Sequence, residues 1–141
     1  MNINTNASAN IKTVRELYGL FGRGDIPSLL ARLAENIEWD PDTAHYGIPL
    51  YQPRRGRKEV ESFFESLGGV EFHRFSPEKI MADGDTVVAL IKLDLTVRAT
   101  GKRFKDTEAH VWTFDADGRP VRFRHIADTY GMYKAWNGTG D

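Results

Sequence analysis

The chain has 141 residues, 40% of them hydrophobic, which is the length and composition of one globular domain. Its 19 Lys and Arg nearly balance its 20 Asp and Glu, so the formal charge is -1 and the basic surface of a nucleic-acid-binding protein is missing. The absence of cysteine excludes disulfides, thiolate catalysis and cysteine-ligated metal sites.

The ends of the chain and its longest apolar run bear on location and domain organisation. The first ten residues, MNINTNASAN, lack the basic and apolar regions of a secretory signal. The longest aliphatic run, Val87 to Ile91, is too short to span a bilayer. We therefore expect a cytoplasmic protein that binds neither membranes nor nucleic acid. One domain is expected over residues 8–136, with flexible termini at 1–7 and 137–141.

The N-terminal part of the chain predicts two helices. Ser8 or Asn10 is expected to cap the first, and Gly22 or Gly24 to end it. The second is expected to begin after Asp25, with a proline that the first turn of a helix tolerates. The apolar positions with helical spacing are Ile11, Val14, Leu17, Tyr18 and Phe21 in the first helix and Leu29, Leu30 and Leu33 in the second.

A short strand, a long connection and a third helix follow. Residues 37–40 predict the strand. The connection from Pro41 to Gly56 contains three prolines and two glycines and is unusually long, which suggests either a pocket rim or lid, or a tolerated surface loop. The third helix, closed by Gly68 and Gly69, has a stripe formed by Glu59, Val60, Phe63, Phe64 and Leu67.

The second half of the chain reads as strands joined by short turns. Four strands are expected near residues 70–82, 86–99, 103–114 and 119–128. Short connections between successive strands predict an antiparallel meander, and the order of helices before strands predicts an α+β fold. A last helical turn containing Tyr130, Met132, Tyr133 and Trp136 is expected to pack on this sheet.

The strand that begins at residue 86 has two different faces. Every second residue from Val87 to Val97 is apolar, which predicts a face buried against the helices. On the other face Val88 and Leu90 are joined by Lys92, Asp94, Thr96 and Arg98. A mixed face of this kind suits a subunit contact or partial solvation, so we expect a homodimer through the sheet face.

The hairpin from 103 to 128 carries the most informative pattern. Alternation places titratable and aromatic side chains on one face of its first strand. Trp112, with Phe123 from the second strand, would supply the apolar wall typical of small-molecule sites, although aromatic residues at such positions are also common in plain cores. That face contains Phe104, Asp106, Glu108, His110, Trp112 and Phe114.

The length of the hairpin loop decides which residues face each other. A two-residue loop at Asp117-Gly118 would set His110 opposite His125. A four-residue loop would keep the faces but shift the pairs, whereas a three-residue loop would set His110 against Arg124. Both histidines would also suit hydrogen-bonded core or interface positions. The further pairs of the two-residue register are Trp112 with Phe123 and Phe114 with Val121.

Asp40, Asp42 and His45 lie around the end of the short strand, in IEWDPDTAH. A carboxylate that faces a cavity there could act as a base, because an apolar setting raises its pKa, although Asp before Pro also commonly starts a turn. A metal triad of these three residues lacks any established ligand spacing. A basic cluster follows, Arg54, Arg55, Arg57 and Lys58, which suits either an acidic substrate or a solvated surface.

Three strings in this order resemble the nuclear transport factor two-like superfamily, in its SnoaL-like and ketosteroid-isomerase-like branch. They are GRGDIPSLLARLAENIEWDP, GRKEVESFFESL and TGKRFKDTEAHVWTFDADGRPVRFRHIADTYG. The resemblance covers nearly the whole chain. It implies a cone-shaped, curved, mostly antiparallel sheet wrapped around three N-terminal helices, with a deep pocket between them. Members of the superfamily differ in activity, so the fold alone does not decide the function.

The resemblance also implies roles for particular residues. Asp40 falls where the isomerases keep a proton-shuttling Asp. The isomerases' first-helix tyrosine aligns with Leu17, next to Tyr18, and their protonated Asp aligns with His110, which argues against a steroid isomerase. SnoaL-like cyclases carry acid/base groups on the late strands, where His110, His125 and Asp128 are the candidates. Strict alternation places Asp128 away from His125 unless a bulge turns the strand end.

The leading hypothesis is a small-molecule enzyme that performs cofactor-free and metal-free acid/base chemistry on a hydrophobic carbonyl compound. Asp40 would be the base, His110 the donor or acid, and His125 would orient or share the proton. The alternatives are a noncatalytic ligand-binding protein and a dimeric protein-interaction domain. The residues expected to bind the substrate are Tyr18, Trp39, Phe63, Trp112, Phe123 and Asp128.

Overall fold

The computed structural model of the protein describes residues 6–139. Residues 1–5, 140 and 141, which belong to the termini expected to be flexible, lie outside the described residues. The helices are α1 (Ala7–Gly22), α2 (Ile26–Arg32), α3 (Gly56–Ser66) and α4 (Thr129–Trp136). The strands are β1 (Glu38–Trp39), β2 (Arg54–Arg55), β3 (Val70–Asp83), β4 (Thr86–Val97), β5 (Arg103–Phe114) and β6 (Pro120–Ile126).

The strands form one sheet in the order β2-β1-β6-β5-β4-β3. Neighbouring strands are antiparallel except β1 and β6, which run parallel. The helices α1, α2 and α3 bury Leu17, Leu29 and Phe63 against Trp112 and Phe123 of the sheet in one core cluster. The α+β class and the curved, mostly antiparallel sheet around the N-terminal helices are therefore confirmed.

The two N-terminal helices begin differently from each other. Neither Ser8 nor Asn10 caps α1, because the helix already begins at Ala7 and both residues lie within it. Asn10 is instead on the buried face. The cap of α2 is Asp25, whose side chain accepts a hydrogen bond from the Ser28 backbone N–H at 3.2 Å, as its place before the proline suggested.

The connection from 41 to 56 is part of the core instead of a plain surface loop. A 3₁₀ turn at Pro49–Tyr51 buries Leu50 and Tyr51. The strand β2, which the sequence did not predict, pairs with β1. Two residues of identical type, Arg54 and Arg55, give no alternating pattern by which such a strand could be recognised.

The loop between β5 and β6, whose length the sequence left open, is not the two-residue one. The Asp115 N–H donates to the Arg119 carbonyl at 2.9 Å, so residues 116–118 form a three-residue loop. Gly118 has a positive φ of 79°, as the last position of such a loop often does. With this loop alone, His110 would face Arg124.

An extra residue in β6 reverses that shift. Phe114 pairs with Pro120, not with Val121, and the register changes immediately before Phe114. Val121 is therefore the unpaired residue of a β-bulge, and beyond it His110 pairs with His125. The bulge brings the two imidazoles together although the loop length alone would have separated them.

The outer face of the sheet is mixed, as the alternation in β4 predicts. Alternate residues from Val87 to Val97 are buried, whereas Val88 and Leu90 are half-buried and Lys92 is exposed. Homodimerisation through this face stays a prediction. None of the helices in the described part of the chain combines the length and apolar character of a membrane-spanning helix.

The glycine that begins α3 offers a test of the local backbone. Gly56 has a φ of 83°, and its N–H donates to the Ile37 carbonyl at 2.8 Å, which ties α3 to β1. We expect Gly56→Ala to lower the free energy of unfolding by about 1–2 kcal/mol, because a Cβ is unfavourable in the left-handed region. Urea denaturation measures the change.

Gly68→Ala is the matched control. Gly68 follows the same helix, a Cβ there would contact nothing within 4 Å, and its φ is not positive. We expect this variant to be neutral or slightly stabilising, by at most about 1 kcal/mol. Equal destabilisation by the two substitutions would contradict the assignment of the cost to φ.

Candidate active site

A cavity of about 70 Å³ lies between α1, α3 and the concave face of the sheet. Its walls are mostly aromatic and aliphatic, and the charged or titratable side chains among them are few. Tyr18, Trp39, Phe63, Trp112 and Phe123, the expected lining residues, all lie on the wall. The groups that bring acid/base chemistry into this apolar space are Glu108, His110 and His125.

Asp40 and His125 form the first of two buried dyads. The His125 Nδ1 is 2.7 Å from Asp40 Oδ2, and the His125 backbone N–H donates to Oδ1 at 2.7 Å. The hydroxyl of Thr43 also donates to Oδ1, at 2.9 Å. Asp40 is fully buried and does not line the cavity, whereas His125 does. Asp40, which was expected to be the base, therefore contacts the His125 ring from behind, and His125 is the member of the dyad that faces the cavity.

The backbone of Asp40 explains where its carboxylate points. Asp40 has a φ of 51°, in the left-handed region that Asp adopts more readily than most residues. Its N–H donates to the Phe123 carbonyl at 2.8 Å, which continues the pairing of β1 with β6 by one residue. The turn at Pro41 thus ends β1 with the side chain directed at β6, toward His125.

The second dyad is built on β5 and held by α1. His110 Nε2 lies 2.8 Å from Glu108 Oε1, and His110 Nδ1 lies 2.7 Å from the Tyr18 hydroxyl. The Trp112 indole N–H donates to the Tyr18 oxygen at 3.1 Å, so the Tyr18 hydroxyl is left to donate to His110. The neutral His110 then carries its proton on Nε2, and this N–H donates a hydrogen bond to Glu108.

Glu108 was not selected as a functional residue from the sequence. It does lie on the face of β5 that alternation identified, two residues before His110. The missing signal was its burial, since only 4% of Glu108 is exposed and an ionisable group so enclosed requires a partner. The spacing Glu-x-His on a buried strand face would have been sufficient to include it.

The two imidazoles are neighbours whose pKa values are shifted in opposite directions. Their ring centroids are 5.1 Å apart. Burial alone would lower the pKa of His125, but the Asp40 carboxylate outweighs it and raises that pKa. Burial lowers the pKa of His110 despite the hydrogen bond to Glu108. One ring is thus suited to hold a proton while the other stays neutral, which is typical of an acid/base pair.

Several other candidates do not reach this cavity. Asp42 forms an ion pair with Arg124 at 3.0 Å, and His45 Nδ1 accepts from the Gly47 N–H, so neither joins Asp40 in a metal triad. Asp128, expected to bind substrate, is the N-cap of α4 and accepts from the Gly131 N–H at 2.9 Å. Because Asp128 is exposed and its carboxylate caps the helix, we leave it out of the proposed site.

The basic cluster at the start of α3 has structural partners. Arg54 donates to the Pro49 carbonyl at 2.9 Å, and Arg57 donates to the Leu33 carbonyl at 2.6 Å. Partial burial lowers the pKa of Arg54. These side chains tie the connection before α3 and the end of α2 to the domain, so they are not grouped as an anion site.

Comparison with known proteins identifies the family. The model of the SnoaL-like domain matches residues 14–123, most of the chain. The chain belongs to the SnoaL-like domain family. This agrees with the resemblance found in the sequence and with the curved sheet around the N-terminal helices. The sequence matches no curated protein.

Several solved structures are similar to this SnoaL-like domain in sequence and fold. An NTF2-like protein from Burkholderia thailandensis is 32% identical, with a TM-score of 0.77, over 89% of this chain and 95% of that one. One from Burkholderia xenovorans is 26% identical, with a TM-score of 0.81, over 93% and 98%. A Mycobacterium tuberculosis LEH-like epoxide hydrolase, 21% identical over 94% and 92%, with a TM-score of 0.68, shares the fold.

The opposite pKa shifts of His110 and His125 can be measured. We expect NMR titration of the imidazoles to give His125 the higher pKa, because Asp40 and Glu108 face it and outweigh burial and Arg54. Asp40→Asn should lower the pKa of His125, since it removes the charge that raises it. A His125 that titrates below His110 in the unsubstituted protein would contradict this electrostatic description.

Two tyrosines on the cavity wall, Tyr18 and Tyr51, allow a matched comparison. Tyr18→Phe removes a hydroxyl that joins His110 to Trp112, so we expect the free energy of unfolding to fall by about 1–3 kcal/mol. The Tyr51 hydroxyl makes no hydrogen bond to another described residue, and Tyr51→Phe should change little. Chemical denaturation of both variants measures the change, and equal losses would contradict the stabilising role of the Tyr18 hydrogen bonds.

Proposed function

We propose that the protein is an enzyme that performs acid/base chemistry on a small hydrophobic carbonyl compound, of the isomerase, cyclase or dehydratase type. One observation carries this proposal. Glu108, His110 and His125, which are buried, each place a nitrogen or oxygen within 4.8 Å of the others at the wall of one apolar cavity. A proton donor and a proton acceptor at this separation can both reach one carbonyl group and the carbon next to it.

His125 is the proposed proton donor. Its Nδ1 is held by Asp40, which fixes the ring and stabilises its protonated form. The nitrogen that remains for the substrate is Nε2, which makes no hydrogen bond to another residue of the described chain. A carbonyl oxygen within about 2.6–3.2 Å of Nε2 could take its proton. Asp40 acts through His125 and is a positioning residue.

Glu108 is the proposed base. Its Oε1 accepts from His110, and its Oε2 makes no hydrogen bond to another described residue. When Glu108 removes a proton from the carbon beside the carbonyl, the C–H electron pair forms a C=C bond. The carbonyl π electrons move to oxygen, which takes the His125 proton. In a β,γ-unsaturated ketone, Glu108 returns its proton to the γ-carbon as the enol O–H proton goes back to His125, which isomerises the substrate. In a β-hydroxy ketone, the enol O–H proton goes back to His125, and the β-hydroxyl leaves with the proton from Glu108 as water.

The walls favour a compact, apolar substrate. The cavity volume of about 70 Å³ is small, and the aromatic rings of Trp39, Phe63 and Phe123 enclose the end that holds His125. Exclusion of water from such a space strengthens the electrostatic stabilisation of an enolate by His125. The buried part of the substrate is therefore expected to be a small ring or short chain with few polar atoms.

Hydrogen–deuterium exchange provides a test that does not require the natural substrate. Cyclohexanone in D₂O loses its α-proton signal as exchange proceeds, and we expect the protein to accelerate this loss above the buffer rate. His125→Gln and Glu108→Gln should each lower the acceleration by about 10²–10⁴-fold, the usual contribution of a general acid or base. Proton NMR follows the rate.

His73→Gln is the matched control for a histidine outside the cavity. His73 is exposed on β3, where its Nε2 lies 2.8 Å from the Thr96 hydroxyl, and we expect its removal to leave exchange unchanged. Acceleration that survives both His125→Gln and Glu108→Gln would refute the assignment. Cyclohexanone that binds, by saturation-transfer NMR, without exchanging would favour a noncatalytic ligand-binding protein.

A further inference from the structure

The same three side chains have the composition of a metal site. Of all the His, Asp and Glu in the described part of the chain, only Glu108, His110 and His125 bring three donor atoms within 4.8 Å of one another. All three are buried, so their convergence is not the chance grouping of charges common on surfaces. Two imidazoles and one carboxylate form the ligand set of zinc sites that keep a position open for water or substrate.

The neighbours of these ligands match the requirements of a divalent ion. Asp40 holds His125 Nδ1 at 2.7 Å, the carboxylate–histidine contact that orients zinc ligands and leaves Nε2 for the metal. Tyr18 lies 2.7 Å from His110 Nδ1, and its oxygen can accept a hydrogen bond from the Nδ1–H once an ion occupies Nε2. The carboxylates of Asp40 and Glu108 together offset a charge of two.

We propose that Glu108, His110 and His125 bind one divalent transition-metal ion, with Zn²⁺ best suited to the ligand set, and that the bound ion blocks the acid/base site. The donors must draw together slightly, because zinc lies about 2.0–2.2 Å from nitrogen and oxygen ligands. The ion takes the atoms that would exchange protons with the substrate. Only the blocking effect rests on the proposed function; the binding does not.

Titration of the untagged, chelator-treated full chain tests the binding directly. Isothermal calorimetry with Zn²⁺ should give one ion per chain, and Co²⁺ should give visible ligand-field bands. Asp40→Asn should weaken binding by about 10–100-fold, as loss of a partner behind a ligand does. Glu108→Gln should weaken it further. A double variant, His45→Ala with His73→Ala, removes the two histidines outside the cavity and should leave binding unchanged.

A measurement on the unsubstituted protein keeps the test independent of folding in the variants. Paramagnetic Co²⁺ should broaden the NMR signals of His110 and His125 before those of His45 and His73. The proposal is overturned by no binding, by broadening of the outer histidines first, or by binding that the double variant loses. It is also overturned if Zn²⁺ binds but leaves an observed cyclohexanone exchange at its original rate. If no exchange occurs at all, the calorimetry and NMR still decide the binding.

Discussion

The carboxylate of Asp40 bonds to both the backbone and the ring of His125, so one side chain holds the end of the sheet and orients a residue of the candidate site. It is fully buried, and its oxygens accept from Thr43, from the His125 backbone and from the His125 ring. A buried carboxylate is costly unless such partners surround it. Here Thr43 is 3 residues away, whereas both His125 groups come from a strand 85 residues further along the chain. The pairing of β1 with β6 is only two residues long, so the same contacts that fix the His125 ring also hold the end of the sheet.

Two histidines on adjacent strands differ because of what stands behind each ring. Behind His125 is a carboxylate, which favours the imidazolium. His110 also contacts a carboxylate, that of Glu108, and the neutral hydroxyl of Tyr18 on its other nitrogen, but burial outweighs Glu108 and lowers the pKa of His110. With ring centroids 5.1 Å apart, two positive charges would repel in a low-dielectric space. The difference in pKa between the two histidines therefore comes from the residues that surround them. It favours a protonated His125 beside a neutral His110.

Much of this arrangement could be predicted from local patterns, and the rest depends on contacts distant in sequence. Alternation along β5 and β6 indicates which side chains share a face, since a strand has a period of two. Of the loop lengths that the sequence left open, only the two-residue loop would pair His110 with His125, whereas the loop has three residues and the bulge at Val121 restores that pair. A bulge of this kind has no signature in β6. The direction of the Asp40 side chain depends on its positive φ and on β6, and neither follows from the IEWDPD string.

Protons and a metal ion require the same features from this site. Both need imidazole rings held in a fixed orientation, a carboxylate close by, and partners that neutralise charge away from water. Asp40 and Tyr18 fix the rings by contacting Nδ1 of each, and for an ion to bind, the His110 proton must move from Nε2 to Nδ1. Because metal binding releases the protons that these ligands carry, the proposed ion and the proposed proton transfer compete for the same nitrogen and oxygen atoms.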